Sequence, residues 1–112
     1  MVNVNLCPKF ETAFQLLGKR WNGLILRVLL QGPVRFRDIS ANIPDMSDKM
    51  LVDRLKELEE AGLVKRTVFP ETPVRIEYQL TEKGYAIEPV LDQVQAWAEE
   101  WMTEKKATKV KN

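Results

Sequence analysis

The chain has 112 residues, a net charge of +1, 45% hydrophobic and 29% charged residues, one cysteine and no histidine. Its length predicts a single domain over residues 1–112 with a modest core. One cysteine excludes a disulfide framework within the chain. The sequence has no metal-ligand cluster and no glycine-rich phosphate loop, so we expect no enzyme, no metal site and no cofactor.

The N-terminal residues have neither the basic start nor the apolar run of a signal peptide. The longest apolar stretch, residues 24–30, is interrupted by Arg27 and is too short to span a bilayer. We therefore expect a cytoplasmic protein without a membrane partner. The near-neutral charge argues against a nucleic-acid partner, because DNA-binding domains often carry a basic excess. Acidic residues in a long C-terminal helix could, however, mask a local basic face.

The first half of the chain predicts helical structure. Apolar residues recur at helical spacing in three segments: about residues 8–18, 20–30 and 36–42. Pro8 suits the first turn of the first helix, and Gly18 suits its end. A Gly-Pro pair at 32–33 breaks the second helix.

The middle of the chain predicts a helix followed by a hairpin. Ser47 can cap the helix, and Gly62 can end it. Its apolar stripe consists of three leucines: Leu51, Leu55 and Leu58. Residues 63–69 and 74–80 have the composition and alternation of strands, and the segment at 70–73 predicts the turn between them.

The last predicted helix covers about residues 81–104, with Thr81 as its cap and a polar tail at 105–112. Pro89 should kink or delay this helix, because it lacks an N–H group. Apolar residues at alternating steps of four and three form a coiled-coil seam: Ile87, Leu91, Val94, Ala98 and Trp101, widened by Val90 and Trp97. We expect a dimer interface here, joined by Phe10 and Phe14 of the first helix. The alternative is that the helix folds back on its own domain.

A helix, a turn, a second helix and a charged hairpin make up a winged helix-turn-helix, whose second helix enters the DNA major groove. The predicted fold class is therefore α+β and mostly α. It has a two-stranded β wing and terminal helices for dimerisation.

Several segments resemble the HxlR-type winged helix-turn-helix regulators, which are relatives of the MarR group. These segments are LCP at 6–8, LGKRW at 17–21, GPVRF at 32–36, SDKML at 47–51, PETP at 70–73 and YQLTEKG at 78–84. CPK at 7–9 and KRWNG at 19–23 look most like the YodB/CatR subgroup. The resemblance implies a dimeric transcription factor, usually a repressor, whose N-terminal cysteine senses oxidants or electrophiles. A dimer in turn implies a two-fold symmetric operator in double-stranded DNA.

The first turns of the predicted recognition helix should approach base edges. The candidate DNA-binding residues in that zone are Ser47, Lys49, Met50, Asp53 and Arg54. Lys49 and Arg54 are the first candidates, because they could contact guanine O6 and N7 or a phosphate. Asp53 could accept a hydrogen bond from cytosine N4, and Met50 could touch a thymine methyl group. The alternatives are a solvated pair for Asp53 and Arg54, and core packing for Met50.

Five further basic residues are candidates for phosphate contacts, which give affinity without reading sequence. They are Arg35 and Arg37 at the start of the third helix, and Lys65, Arg66 and Arg75 in the wing. The alternative for Arg66 and Arg75 is cross-strand pairing with Glu77.

Cys7 immediately precedes Pro8, so it should cap the first helix at its N-terminus. The partial positive charge of a helix N-terminus and the charge of Lys9 favour the reactive thiolate. An inert buried cysteine is the alternative. Modification could give a disulfide to Cys7 of the partner subunit, a mixed disulfide with a small thiol, or alkylation by a quinone or aldehyde.

Two other functions remain open at this point. A winged-helix module could bind protein rather than DNA, which suits the near-neutral charge. Alternatively, a DNA-binding regulator could sense a small ligand in an aromatic pocket. Its lining would come from five aromatic residues, which otherwise belong to the core: Phe10, Phe14, Trp21, Trp97 and Trp101.

Overall fold

The computed structural model describes residues 4–103, and the polar tail predicted at 105–112 lies outside this range. The described residues form six helices and three short strands. The helices are α1 (Pro8–Leu17), α2 (Asn22–Leu29), α3 (Phe36–Asn42), α4 (Asp48–Glu60), α5 (Glu82–Tyr85) and α6 (Glu88–Trp101). The strands are β1 (Val34–Arg35), β2 (Val64–Phe69) and β3 (Arg75–Leu80).

A tight corner at residues 18–22, here called the α1–α2 corner, joins the first two helices. Pro8 begins α1 directly after the N-cap Cys7, and α1 ends before Gly18 as predicted. Trp21 has a left-handed backbone with φ +81°. Because a left-handed residue cannot continue a right-handed helix, α2 begins at Asn22, two residues later than predicted.

The ends of α4 follow the local chemistry of its sequence. At its start, Ser47 Oγ accepts a hydrogen bond from Met50 N at 3.1 Å. At its end, Gly62 has φ +84°, and Leu63 N donates to Leu58 O at 2.9 Å. This pairing is a Schellman motif, which satisfies the last helical carbonyls and turns the chain into β2.

The sheet has three antiparallel strands in the order β1–β3–β2. The predicted two-stranded wing is the β2–β3 hairpin, which pairs Val64 with Leu80 and Phe69 with Arg75. Strand β1, in which Val34 pairs with Tyr78, was not predicted from the sequence. This strand is only two residues long and follows a Gly-Pro pair, so it carries no alternating pattern of its own.

The last predicted helix is divided into α5 and α6. Thr81 Oγ1 caps α5 by accepting from Gly84 N at 3.1 Å. Helix α5 ends at Tyr85, and α6 starts at Glu88 with Pro89 in its first turn. The predicted delay at Pro89 is confirmed, because proline needs no N–H partner in a first turn.

The buried core lies between α2, α3, α4 and the sheet. Its apolar members are Ile25, Leu26, Leu29, Ile39, Ile43, Met46, Leu51, Leu55, Leu58, Leu63, Val64 and Leu80. In contrast, α1 and α6 contain no buried residue. The predicted fold class is thus confirmed, with two terminal helices that are largely uncovered. Among residues 4–103, no helix is long and apolar enough to cross a lipid bilayer.

Candidate nucleic-acid interface and thiol site

The helix-turn-helix unit consists of α3, the segment 43–47 and α4. Ser40 Oγ donates to Asp48 Oδ1 at 2.8 Å, which fixes the start of α4 against α3. Lys49 and Asp53, one turn apart, are exposed on α4. Met50 instead is half-buried and packs against the core, as the alternative interpretation had it. Of the predicted base-reading residues, Lys49 therefore offers the most accessible cationic side chain.

Arg54 does not have the free side chain that a base-reading role requires. Its Nε donates to Arg20 O at 3.0 Å, and its Nη1 lies 3.7 Å from Glu57 Oε1. Only 13% of its side chain is exposed. Arg54 thus contacts the α1–α2 corner and Glu57 rather than Asp53, and its predicted DNA contact stays a prediction.

The wing carries free and engaged cations side by side. Lys65 and Arg66 are exposed on β2. The Arg75 guanidinium donates to Glu71 Oε1 and Oε2 at 3.3 and 2.9 Å, and to Glu77 Oε2 at 2.6 Å. Arg75 thus pairs with Glu77 as the alternative interpretation proposed, although within β3 rather than across strands.

The Arg75 ion pairs perturb the pKa values at the wing tip. The hydrogen bond from Arg75 holds the pKa of the Glu71 carboxyl below its ordinary value of 4.5, and the charges of Arg75 and Arg35 act in the same direction. The hydrogen bonds to Glu71 and Glu77 raise the pKa of the Arg75 guanidinium. The guanidinium also lies 3.9 Å from the centre of the Phe69 ring.

The two arginines at the start of α3 are both exposed. Arg35 belongs to β1, where its Cα partner on β3 is Glu77. Its charge therefore lies beside the wing, while Arg37 lies in the first turn of α3. Together with Lys49, Lys65 and Arg66 they make up the accessible cations among the predicted contact residues.

Cys7 occupies the N-cap of α1, as predicted, and it is exposed rather than buried. Its carbonyl oxygen accepts from Glu11 N at 3.2 Å, but its side chain makes no capping hydrogen bond. Lys9 is also exposed. The thiol is therefore open to reagents from solution.

The predicted dimer seam divides into an inner and an outer group. Ile87 and Leu91 pack against the domain's own core, with Ala98 half-buried further along α6. Arg27 Nη1 donates to Asp92 Oδ1 at 3.0 Å and ties α6 to α2. The alternative interpretation is therefore correct for the start of α6, which folds back on its own domain.

The outer group remains exposed and is called the apolar face below. It consists of Val90, Val94, Trp97 and Trp101 of α6, with Phe10 and Phe14 of α1. The α6 residues again follow steps of four, three and four, which is the spacing of a coiled-coil seam. Trp97 is 57% and Trp101 67% exposed, and the Phe10 and Phe14 rings lie 5.0 Å apart.

Four of the five aromatic residues predicted to line a pocket are exposed in the single chain, and only Trp21 packs against the core. The aromatic pocket stays a prediction. A groove of about 800 Å³ does lie between α1, the end of α4 and α5. Its lining is aliphatic and charged, with Leu16, Leu17 and Ile87 beside Lys9 and Lys83. Sequence reasoning missed this groove, because no local pattern marks it.

Sequence reasoning also missed Glu57, whose two carboxylate oxygens face different partners. Oε2 lies 2.9 Å from Lys19 Nζ, and Oε1 lies 3.7 Å from Arg54 Nη1. The i,i+3 spacing of Arg54 and Glu57 was a readable signal. The contact between Lys19 and Glu57 spans 38 positions, and no sequence signal indicated it.

The arrangement of α3, α4 and the wing agrees with the known proteins that the chain resembles. The profile of the HxlR-like helix-turn-helix family matches residues 16–106. The HTH-type transcriptional regulator YodB of Bacillus subtilis (strain 168) is 57% identical over 96 residues, covering 86% of this chain and 86% of YodB.

Three solved structures of B. subtilis YodB share the fold. The reduced form has a TM-score of 0.80 at 56% identity and covers 88% of this chain and 96% of that chain. The diamide-treated form has a TM-score of 0.76 at 54% identity, with 90% and 100% coverage. The quinone-bound form has a TM-score of 0.77 at 52% identity, with 86% and 100% coverage. The chain therefore belongs to the HxlR-like helix-turn-helix family of transcriptional regulators.

Proposed function

We propose that this protein is a cytoplasmic, dimeric, sequence-specific DNA-binding repressor that leaves its operator when Cys7 is oxidised or alkylated. The observation that carries the proposal is the exposed Cys7 thiol at the N-terminus of α1, a helix whose apolar face is uncovered. Structures of the relative YodB in diamide-treated and quinone-bound forms support this assignment.

DNA binding is assigned to the helix-turn-helix and the wing. In this fold α4 is the recognition helix, and its exposed Lys49 is suited to guanine O6 and N7. Asp53 remains available for a cytosine N4 donor. Arg35, Arg37, Lys65 and Arg66 are exposed cations suited to phosphate contacts, which would give affinity that falls steeply with salt.

The apolar face supports a dimer. Two tryptophans and two phenylalanines that are each more than half exposed are unusual on a monomer surface. Burial of this face in a symmetric pair would relate two copies of α4 by a two-fold axis. The operator would then contain two half-sites about 34 Å apart.

Two reactions at Cys7 fit the proposal. The Cys7 Sγ thiolate would add to a ring carbon of a quinone by conjugate addition. A C–S bond forms, the electron pair moves to the ring oxygen, and that oxygen takes up a proton without a leaving group. Diamide would first add to the thiolate. A second thiolate, from Cys7 of the partner subunit or from a small thiol, then displaces it, so that two thiols become a disulfide and diamide becomes the hydrazine.

Modification at the end of α1 would change the dimer contact and so the spacing of the two recognition helices. Affinity for a symmetric operator depends on that spacing, because both helices must enter successive major grooves. Loss of the match would lower affinity without any change in the reading residues themselves.

A mobility-shift assay with the DNA upstream of the protein's own gene tests the proposal. Reduced, diamide-treated and quinone-treated protein are compared, with Cys7→Ser in parallel. We expect binding by reduced protein, loss on treatment, and retention in treated Cys7→Ser. Unchanged binding of treated wild-type protein would refute the thiol switch.

A ligand-responsive regulator is the second candidate, and the groove beside α1 favours it. Its volume of about 800 Å³ is in the usual range of small-molecule sites. A Cys7→Ser protein that still left DNA on quinone treatment would assign sensing to this groove instead. Failure to bind any tested DNA, with a stable fold, would favour the protein-binding module.

A further inference from the structure

Polar contacts attach the recognition helix to the α1–α2 corner. Glu57 of α4 accepts from Lys19 Nζ at 2.9 Å through Oε2. Arg54, one turn earlier on α4, donates from Nε to Arg20 O at 3.0 Å. Arg54 Nη1 lies 3.7 Å from Glu57 Oε1, so the two α4 side chains also hold each other.

Arg54 is the central member of this group. Its side chain is 13% exposed, against 45% for Lys19 and 35% for Glu57. Solvent screens it less than the other two, so its hydrogen bond to a main-chain carbonyl is the most robust of the contacts. A planar guanidinium presents its donors in a rigid fork that serves a carbonyl and a carboxylate with fixed geometry, whereas an ammonium group on a flexible stem does not fix that geometry.

The corner itself is well fixed. Leu16 O accepts from both Lys19 N at 3.4 Å and the fully buried Asn22 Nδ2 at 2.8 Å. The guanidinium of Arg20 lies 4.2 Å from the centre of the Trp21 ring. A movement of the end of α1 would therefore carry the corner with it rather than bend it.

The remainder of α1 is only loosely attached. It has no buried residue, and its side chains that pack against the core are Leu16 and Leu17 in the last turn. Cys7, at the opposite end, is exposed. Within one chain, the helix is thus held at the end that joins the α1–α2 corner, whereas the end that carries the thiol does not pack against the core.

We propose, on the basis of the function proposed above, that Arg54 and Glu57 are positioning residues that fix α4 against the α1–α2 corner and pass a displacement of α1 to the recognition helix. Modification of Cys7 moves α1, the corner follows, and the two side chains transmit the shift to α4. Arg54 therefore acts on DNA binding through geometry and not through a base contact.

Removal of the Glu57 charge tests the transmission. The measured quantity is the ratio of operator affinity before quinone treatment to operator affinity after it, here called the treatment ratio. For wild-type protein we expect a ratio of about 5–150, the usual range of coupling between two sites. Glu57→Gln is expected to bind normally when reduced and to lower this ratio by up to about fivefold, as suits exposed ion pairs. Equal ratios in the two proteins would overturn the proposal.

Variants of Lys19 and Lys56 test whether the lower ratio comes from loss of the Lys19–Glu57 ion pair or from any loss of charge. Lys19→Gln should lower the ratio, whereas Lys19→Arg should keep the wild-type ratio because it keeps the ion pair. Lys56→Gln removes an exposed charge from the same helix and should leave the ratio unchanged. A Lys56→Gln effect as large as that of Glu57→Gln would count against the assignment.

Arg54→Lys distinguishes positioning from base contact. The variant keeps the charge but not the rigid fork of donors that fixes α4 against Arg20 O and Glu57. The treatment ratio should therefore fall, while the ranking of operator variants stays that of wild type. A changed preference at one base pair is what loss of a base contact produces, and it would overturn the positioning role.

Hydrogen exchange of the protein alone keeps the inference separate from the proposed function. Quinone addition to wild-type protein should change amide exchange in both α1 and α4, whereas in Glu57→Gln the change should stay in α1 and shrink in α4. An equal α4 change in both proteins, or none in wild type, would overturn the inference. Absence of operator binding would instead overturn the proposed function, while the exchange result still stands.

Discussion

Gly84 lies at a position where the fold has no room for a side chain. A Cβ built there would overlap the carbonyl oxygen of Leu63 and lie 3.0 and 3.1 Å from two carbons of Leu80. Leu63 O cannot easily withdraw, because it accepts from Thr81 N at 3.0 Å. Gly23, in the first turn of α2, has no heavy atom within 4 Å of such a Cβ. A side chain can therefore be added at Gly23 without a clash, but not at Gly84.

Gly84→Ala should lower the free energy of unfolding by about 1–3 kcal/mol, the usual cost of overpacking. Gly23→Ala should raise it by about 0.4–1 kcal/mol, because alanine restricts the unfolded chain without a clash. Urea unfolding at one fixed protein concentration measures both. Destabilisation of the same size in both variants would contradict the packing argument.

Lys49 is the exposed cation in the first turn of the recognition helix, and Lys56 lies two turns further along the same helix. Lys49→Ala should cost about 1–3 kcal/mol of operator binding if the contact is bidentate, and should relax specificity at one base pair. Lys56→Ala should lower the free energy of operator binding by less than half as much as Lys49→Ala. Fluorescence anisotropy with operator variants measures both. A uniform loss across all operators would identify Lys49 as a phosphate contact.

Single elements are where local sequence signals were most informative. Ser47, Gly62 and Thr81 act on their own backbone neighbours, so the ends of α4 and the start of α5 could be read without knowledge of the fold. The β2–β3 hairpin was predictable for the same reason. In contrast, β1 exists only because β3 lies beside it, and two residues carry no period of their own.

Roles that depend on distant residues were not predictable. Arg54 carried the same signal as Lys49 in the sequence, a cation near the start of a recognition helix. Its engagement with Arg20 O follows from the α1–α2 corner, whose left-handed residue is a tryptophan rather than a glycine. Likewise, spacing alone could not divide the α6 seam into Ile87, which packs inward, and Trp97, which does not.

At the wing tip, Arg75 holds together Glu71 in the turn and Glu77 in β3. This contact fixes the turn while leaving Lys65 and Arg66 free on the neighbouring strand. The lowered pKa of Glu71 makes the contact sensitive to pH. Because the folded-state pKa lies below the unfolded value, the stabilisation is present above pH 4.5 and is lost as the pH falls through the folded-state pKa.

An NMR titration of the side-chain carboxyl carbons tests this element directly. We expect the Glu71 midpoint below 4.5 in wild-type protein and a return toward 4.5 in Arg75→Met, because the hydrogen bond is the main cause of the shift. A midpoint for Glu71 that does not respond to Arg75→Met would contradict the assignment.

For the whole molecule, the net charge of +1 does not show where the charges lie. Arg54, Arg75, Lys19 and Arg27 each lie in an ion pair with a carboxylate. The predicted contact cations that stay accessible belong to β1, α3, α4 and the wing. Charge distribution, rather than total charge, is thus the relevant quantity.

The apolar face is the other whole-molecule feature, and Trp97→Glu tests whether it joins two copies of the chain. An unpaired carboxylate buried in an interface costs about 3–5 kcal/mol, so dimer affinity should fall more than about a hundredfold. Gln95→Glu adds the same charge on the opposite side of α6 and should leave the dimer intact. Sedimentation equilibrium measures both.

Because a symmetric operator needs both recognition helices, operator affinity should fall with dimer affinity in Trp97→Glu alone. A Trp97→Glu protein that stayed dimeric would place the interface elsewhere.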